Sequence, residues 1–202
     1  MSTKLSVIIL CALLCCNFIP CPKGEESAMA MRYDTLRISF IGDVMQHSPQ
    51  IKSAESVAQN KALPNASFDY SAMFRHIQPW LNRADIAVAN IEFPAGYGDY
   101  RGYPLFKGPA AVAIEARRCG IDLALMANNH IADDGAAGIS NTLNLYDSLA
   151  IVHTGVFRDS AERERHYPLI METGPDSRLH KKLKIAFLNF TYSTNGNPVP
   201  EP

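Results

Sequence analysis

The stretch "GIDLALMANNHIADDG", residues 120–135, decides the fold class. An apolar run, Ile121 to Ala127, stops at Asn128, Asn129 and His130. Two carboxylates and a glycine follow. Runs of this length bounded by glycine and polar residues are expected of a strand buried on both faces. Three more runs have the same character: "LRISFIGDV" at 36–44, "IAVANIEF" at 86–93 and "IVHTGV" at 151–156.

Helical patterns lie between these runs. "SAMFRHIQPWLNRAD" places Met73, Phe74, Ile77, Trp80 and Leu81 at helical spacing, and Pro79 is expected to kink or restart it. "GPAAVAIEARRCG" has Pro109 just inside its expected start and Gly120 just past its end. "GAAGISNTLNLYDSLA" sets Ile139, Leu143, Tyr146 and Leu149 on one face. Strand–helix alternation of this kind implies crossover units, a mainly parallel sheet and an α/β fold. Later the rhythm changes. "YPLIMET" and "LKIAFLNFTY" follow one another across the turn-rich "GPDSRLHKK", which predicts a hairpin, and "TNGNPVPEP" reads as a loop.

Composition narrows the function. The 202 residues carry 19 basic and 20 acidic side chains, so the chain lacks the basic footprint of a nucleic-acid binder, and no nucleic-acid partner is expected. An anionic substrate would need local groups or a metal. The first 21 residues, one lysine followed by an apolar stretch, are expected to be an export signal, with residues 22–35 as a linker and 36–202 as the domain. Four of the five cysteines fall in that leader, leaving Cys119 alone in the body and excluding an internal disulfide framework there. Cys16 and Cys21 leave lipidation open, although Pro20 before Cys21 departs from the lipoprotein pattern. Localisation is therefore expected to be periplasmic or on the outer surface, with the membrane met through the signal or a lipid anchor. There is no P-loop, dinucleotide fingerprint or nucleophile elbow. Two Asn-x-Ser/Thr matches, at Asn65 and Asn189, are discounted as glycosylation sites.

Three strands end in similar polar residues. The first ends in Gly42-Asp43 with His47 four residues on, the second in Asn90-Ile91-Glu92, the third in Asn128-Asn129-His130. Open α/β sheets build sites beyond the carboxyl ends of their strands, so Asp43, Asn90, Glu92, Asn129 and His130 are expected to converge. Carboxylate, amide oxygen and imidazole suit Mn, Fe(II), Zn or Mg. Each motif also has a plain structural alternative: Gly-Asp as a turn, Asn-x-Glu as a cap, and Asn128 as a left-handed turn residue. The Gly- and Tyr-rich segment at 96–109, with Arg101 and Lys107, is read as a connector in preference to a substrate-facing loop.

Four blocks in order, "FIGDVM", "ADIAVANIEFP", "GIDLALMANNHIADDG" and "LKIAFLNFTYSTNG", resemble the CapA-type capsule-synthesis (poly-γ-glutamate) proteins, which are similar to calcineurin-like metallophosphoesterases. The resemblance implies a sheet sandwich flanked by helices. It implies Asp43 as first metal ligand, Asn90 or Glu92 at the bridging position, Asn129 as an amide ligand and His130 as a nearby acid. Two divalent metals would then activate water. It implies an exported protein of capsule or cell-envelope polymer biosynthesis, with that polymer as partner. The alternatives are a non-catalytic assembly protein that binds polymer and an inactive fragment of the enzyme. Departures from the phosphoesterase pattern are Met45 in place of a histidine two residues after Asp43, Asn-x-Glu in place of an aspartate, and no later Gly-His-x-His. His76, His153, His166 and His180 lie in plain contexts. The chain is accordingly expected to be the first part of a longer protein, with weak or absent activity on its own.

Overall fold

Four parallel strands, side by side in the order Ile38–Val44, Ile86–Ile91, Leu123–Leu125 and Val152–Thr154, organise the protein. The computed structural model describes residues 34–61, 67–173 and 182–199. The leader, the hairpin connection with His180, and Asn65 lie outside the described residues. Residues Asp34–Pro202 form one compact unit.

Strand β1 (Ile38–Val44) leads to helix α1 (Ser48–Asn60). His47 precedes α1, and its backbone N–H donates to Gln50 Oε1 at 2.8 Å. Two short helices follow, α2 (Ser71–Phe74) and α3 (Gln78–Leu81). Pro79 thus restarts the helix, because a proline is tolerated in a first turn and disrupts an interior one. Strand β2 (Ile86–Ile91) comes next, then the small pair β3 (Ala95–Gly96) and β4 (Gly108–Pro109). Helix α4 (Ala110–Arg118) is capped by Pro109, which stands one position before the helix and not inside it. Then follow β5 (Leu123–Leu125), α5 (Gly135–Ser148), β6 (Val152–Thr154), α6 (Ser160–His166) and the antiparallel hairpin β7 (Leu169–Glu172) and β8 (Lys184–Phe187). Helices α1 and α6 had no counterpart in the sequence reading, and β8 ends well before Tyr192.

The two faces of the central sheet bury different partners. Ala87, Ala89, Ile91 and Ala124 face the helices, packing with Val112, Ala116, Leu143 and Tyr146. Ile86, Val88 and Leu123 face the hairpin, packing with Phe187, Met171 and Ile185. Strands β2 and β5 are therefore covered on both sides, as their continuous apolar runs predict. Strand β1 is not. Phe40, in register with Val88, is 63% exposed, whereas Ile38 on the same face is partly buried against the hairpin cluster. Among the described residues β1 is a half-covered edge strand, which corrects the expectation of burial on both faces.

Candidate metal centre and imidazole site

All four central strands point the same way, so their carboxyl ends share one edge. There the register of β1 against β2 breaks: Ile41 pairs with Ala89, but Val44 pairs with Ile91, leaving Gly42-Asp43 opposite a single residue. Such a bulge re-aims a side chain. Here it brings Asp43 Oδ1 within 2.8 Å of Asn90 Nδ2. The same amide donates to Glu92 Oε2 at 3.0 Å. One NH2 group thus sits between two carboxylates.

Glu92 is only 8% exposed. Burial raises its carboxyl above the usual range, and the neighbouring Asp43 carboxyl adds to the rise. Asn90 opposes it as a donor and His130 as a positive neighbour. Asn128 closes the cluster. Its Nδ2 donates to the Ile91 carbonyl at 2.8 Å and lies 3.4 Å from Asn90 Oδ1, and its Oδ1 accepts from the His130 N–H at 3.2 Å. Asn128 lacks the positive φ of a left-handed turn residue, so its part in the turn is played by the side chain.

Beyond it lies a second constellation. His130 Nδ1 is 2.8 Å from Asp133 Oδ2, and the Asp133 side chain is wholly buried. Asp133 also accepts from the Phe106 N–H at 2.8 Å and from Asn197 Nδ2 at 3.0 Å. With Asp133 taking the Nδ1 proton, His130 leaves Nε2 as its free nitrogen. The Phe106 ring meets the His130 ring edge to face at 4.7 Å, and on its other side meets His47 in the same way at 4.9 Å. His47 is thus an aromatic neighbour of Phe106, with no contact to Asp43.

The C-terminal segment supplies three amides. Asn189 Oδ1 accepts from the Ala127 N–H at 2.6 Å, and its Nδ2 donates back to the Ala127 carbonyl at 3.3 Å. Asn195 lies 3.4 Å from both Asn129 Nδ2 and His130 Nδ1. Gly155, at φ +98°, makes room: a Cβ there would stand 2.2 Å from Asn189 Oδ1. Arg101 and Lys107 both pair with Asp134, at 2.6 and 3.1 Å, tying the 96–109 connector to the turn. Burial pushes the Asp134 carboxyl up, but the two cations outweigh it and hold it below the ordinary range.

The structure therefore joins Asp43, Asn90 and Glu92 directly, with His130 near Glu92. Asn129 sits on the far side of the turn and pairs with Asn195. Of the other histidines, His76 is exposed beside Arg75. His153 is half-buried, with Nε2 3.1 Å from Asp147. Asp133, Asn195 and Asn197 are given no role by the sequence, and Asn189 enters there only as a discounted glycosylation match. The one local signal was the three-residue spacing of His130 and Asp133.

Among the described residues no three His, Cys, Asp or Glu side chains are grouped to hold a metal. The cluster offers two carboxylates, with amides completing it. The carboxylates, and the Asn90 amide oxygen once turned, are hard oxygen donors of the kind that Mg or Mn takes.

A mainly parallel sheet with helices on one face, a second sheet layer on the other and a polar cluster at the strand ends defines a metallophosphoesterase-like α/β protein. Residues 37–201 match the family described as bacterial capsule synthesis protein PGA_cap, and the chain belongs to that family. It is also similar to the capsule biosynthesis protein CapA of Bacillus anthracis, at 24% identity over 132 residues. That alignment covers 60% of this chain and 28% of the relative, so the chain spans under a third of the relative's length.

Proposed function

We propose that this protein acts in capsule or cell-envelope polymer biosynthesis through a divalent-metal hydrolase or transferase site. Asp43, Glu92 and the amide oxygen of Asn90 would hold the cation, with Asn129 as a further amide ligand on rearrangement of its contact with Asn195. A cation bound there would polarise an ester or amide oxygen and lower the pKa of a bound water. His130, oriented through Nδ1 by Asp133, would donate a proton to the leaving group from Nε2. The substrate class is a phosphoester or a γ-glutamyl polymer. Export and a membrane anchor belong to the same proposal; no helix among the described residues is long and apolar enough to cross a membrane.

The observation that carries this reading is a carboxylate pair, buried Glu92 and exposed Asp43, bridged by one amide NH2. Two adjacent carboxylates, one of them buried, repel each other, and a cation relieves that repulsion. The test is Mn2+ titration by calorimetry with Asp43→Asn and Glu92→Gln, followed by hydrolysis of p-nitrophenyl phosphate. Binding by the wild type and loss in both variants is expected. Equal heats in all three would sink the cation site.

A non-catalytic polymer-binding protein is the second reading, favoured by the lack of a third carboxylate or histidine grouped with the pair among the described residues. It predicts metal binding without turnover, and no effect of His130→Ala on polymer retention.

A further inference from the structure

Behind the turn lies a cavity of about 550 Å3 that none of Asp43, Asn90 or Glu92 lines. Its walls are apolar: Ile139 and Leu143 of α5, Phe157 after β6, and Val199. Ala127 and Ile131 contribute where the Asn128–His130 turn begins and ends. Thr194, beside Asn195, completes the side toward the site.

The mouth carries charge. Arg158 is engaged, with Nη1 2.7 Å from Glu162 Oε1 and Nη2 on Asp147. Asp159 accepts from the Glu162 backbone N–H at 2.6 Å, which ties that carboxylate to the start of α6. Arg163 differs. Its guanidinium lies 5.6 Å over the Tyr167 ring, and among the described residues it has no carboxylate partner. A chamber with a mainly apolar interior, and at its rim a guanidinium without an ion-pair partner among the described residues, suits an apolar body bearing an anionic head. A neutral or cationic ligand would leave that charge unused.

We propose that this cavity binds a small anionic amphiphile, its apolar body between α5 and Phe157 and its carboxylate or phosphate-like head on Arg163. The ligand would touch the segment that supplies Asn195 and Asn197. Occupancy would therefore tighten the clamp on His130 and Asp133 without any contact to the carboxylate pair.

The experiment reads binding alone and does not depend on metal or turnover. Anilinonaphthalene sulfonate fluorescence reports entry, and octanoate and octylammonium compete for the same chamber. Octanoate should displace the dye about tenfold better, the preference worth one charge-assisted contact. Ser140→Trp, on the exposed side of α5 and lining the cavity, should abolish octanoate-sensitive fluorescence and leave only dye held by exposed apolar residues such as Phe40. Arg163→Gln should erase the preference for octanoate, and this exposed change decides the matter if Ser140→Trp disturbs the circular dichroism. Equal displacement by the two competitors in the wild type, or an undiminished octanoate preference in Arg163→Gln, would overturn the proposal.

Discussion

Asp133 and Glu92 are both buried carboxylates at the same edge of the sheet, and they are treated in opposite ways. Asp133 accepts from a backbone N–H, an asparagine amide and an imidazole. Glu92 has one amide, shared with Asp43, and a carboxylate for a neighbour. The first is a finished internal network, which rigidifies the turn. The second keeps an unmet demand for positive charge. A burial map alone would rank them alike; their donors separate a carboxylate satisfied within the fold from one that is not.

The sharpest way to break the comparison is to remove the finished one. Asp133→Ala strands three donors, and unpaired buried groups cost about 1–3 kcal/mol each before relaxation. A loss of about 3 kcal/mol in urea unfolding is expected, and a loss below about 1 kcal/mol would show that Asp133 is dispensable to the turn. Gly155→Ala comes next. It forces a Cβ onto Asn189 at a positive φ and should cost about 2 kcal/mol while detaching the Ala127 clamp. Asn189→Ala in the same background should then add little, because the contact is already lost.

Glu92→Gln should move stability the other way. The carboxyl is raised in the folded state, so its charging opposes folding. The wild type is free of that penalty below the ordinary carboxyl value of 4.5 and bears it fully once the pH exceeds the folded value. The variant should therefore gain about 1 kcal/mol near neutral pH in metal-free buffer, with the two curves merging in acid. A destabilised variant at neutral pH would mean that Glu92 is satisfied after all.

Asp134 gives the smallest effect. Its carboxyl is lowered, so its ion pairs stabilise above the ordinary value of 3.8 and fade as pH falls through the folded value. Asp134→Asn should cost about 0.5–1 kcal/mol at neutral pH, less at high salt and nothing in strong acid.

Much of this was legible in the chain. The apolar runs of β2 and β5, the helical faces of α4 and α5, and the hairpin follow from periodicity, which local sequence carries. Asp43, Asn90 and Glu92 could be placed together because parallel strands must present their carboxyl ends on one edge. Helix α1 escaped notice because "SPQIKSAESVAQN" is polar over most of its length and lacks a broad apolar stripe. Strand β1 misled because a long apolar run reads the same whether or not a neighbour covers it.

By itself, the sequence determined the α/β alternation, the polar strand ends and the family. Only the tertiary structure decided which amide faces which carboxylate. The bulge that turns Asp43 toward Asn90 is a register event between two strands and leaves no local mark. Asn189, Asn195 and Asn197 meet residues some sixty positions earlier, and no spacing rule spans that distance. A polar side chain states what bonds it can make, and its partners are settled only when the chain closes around it.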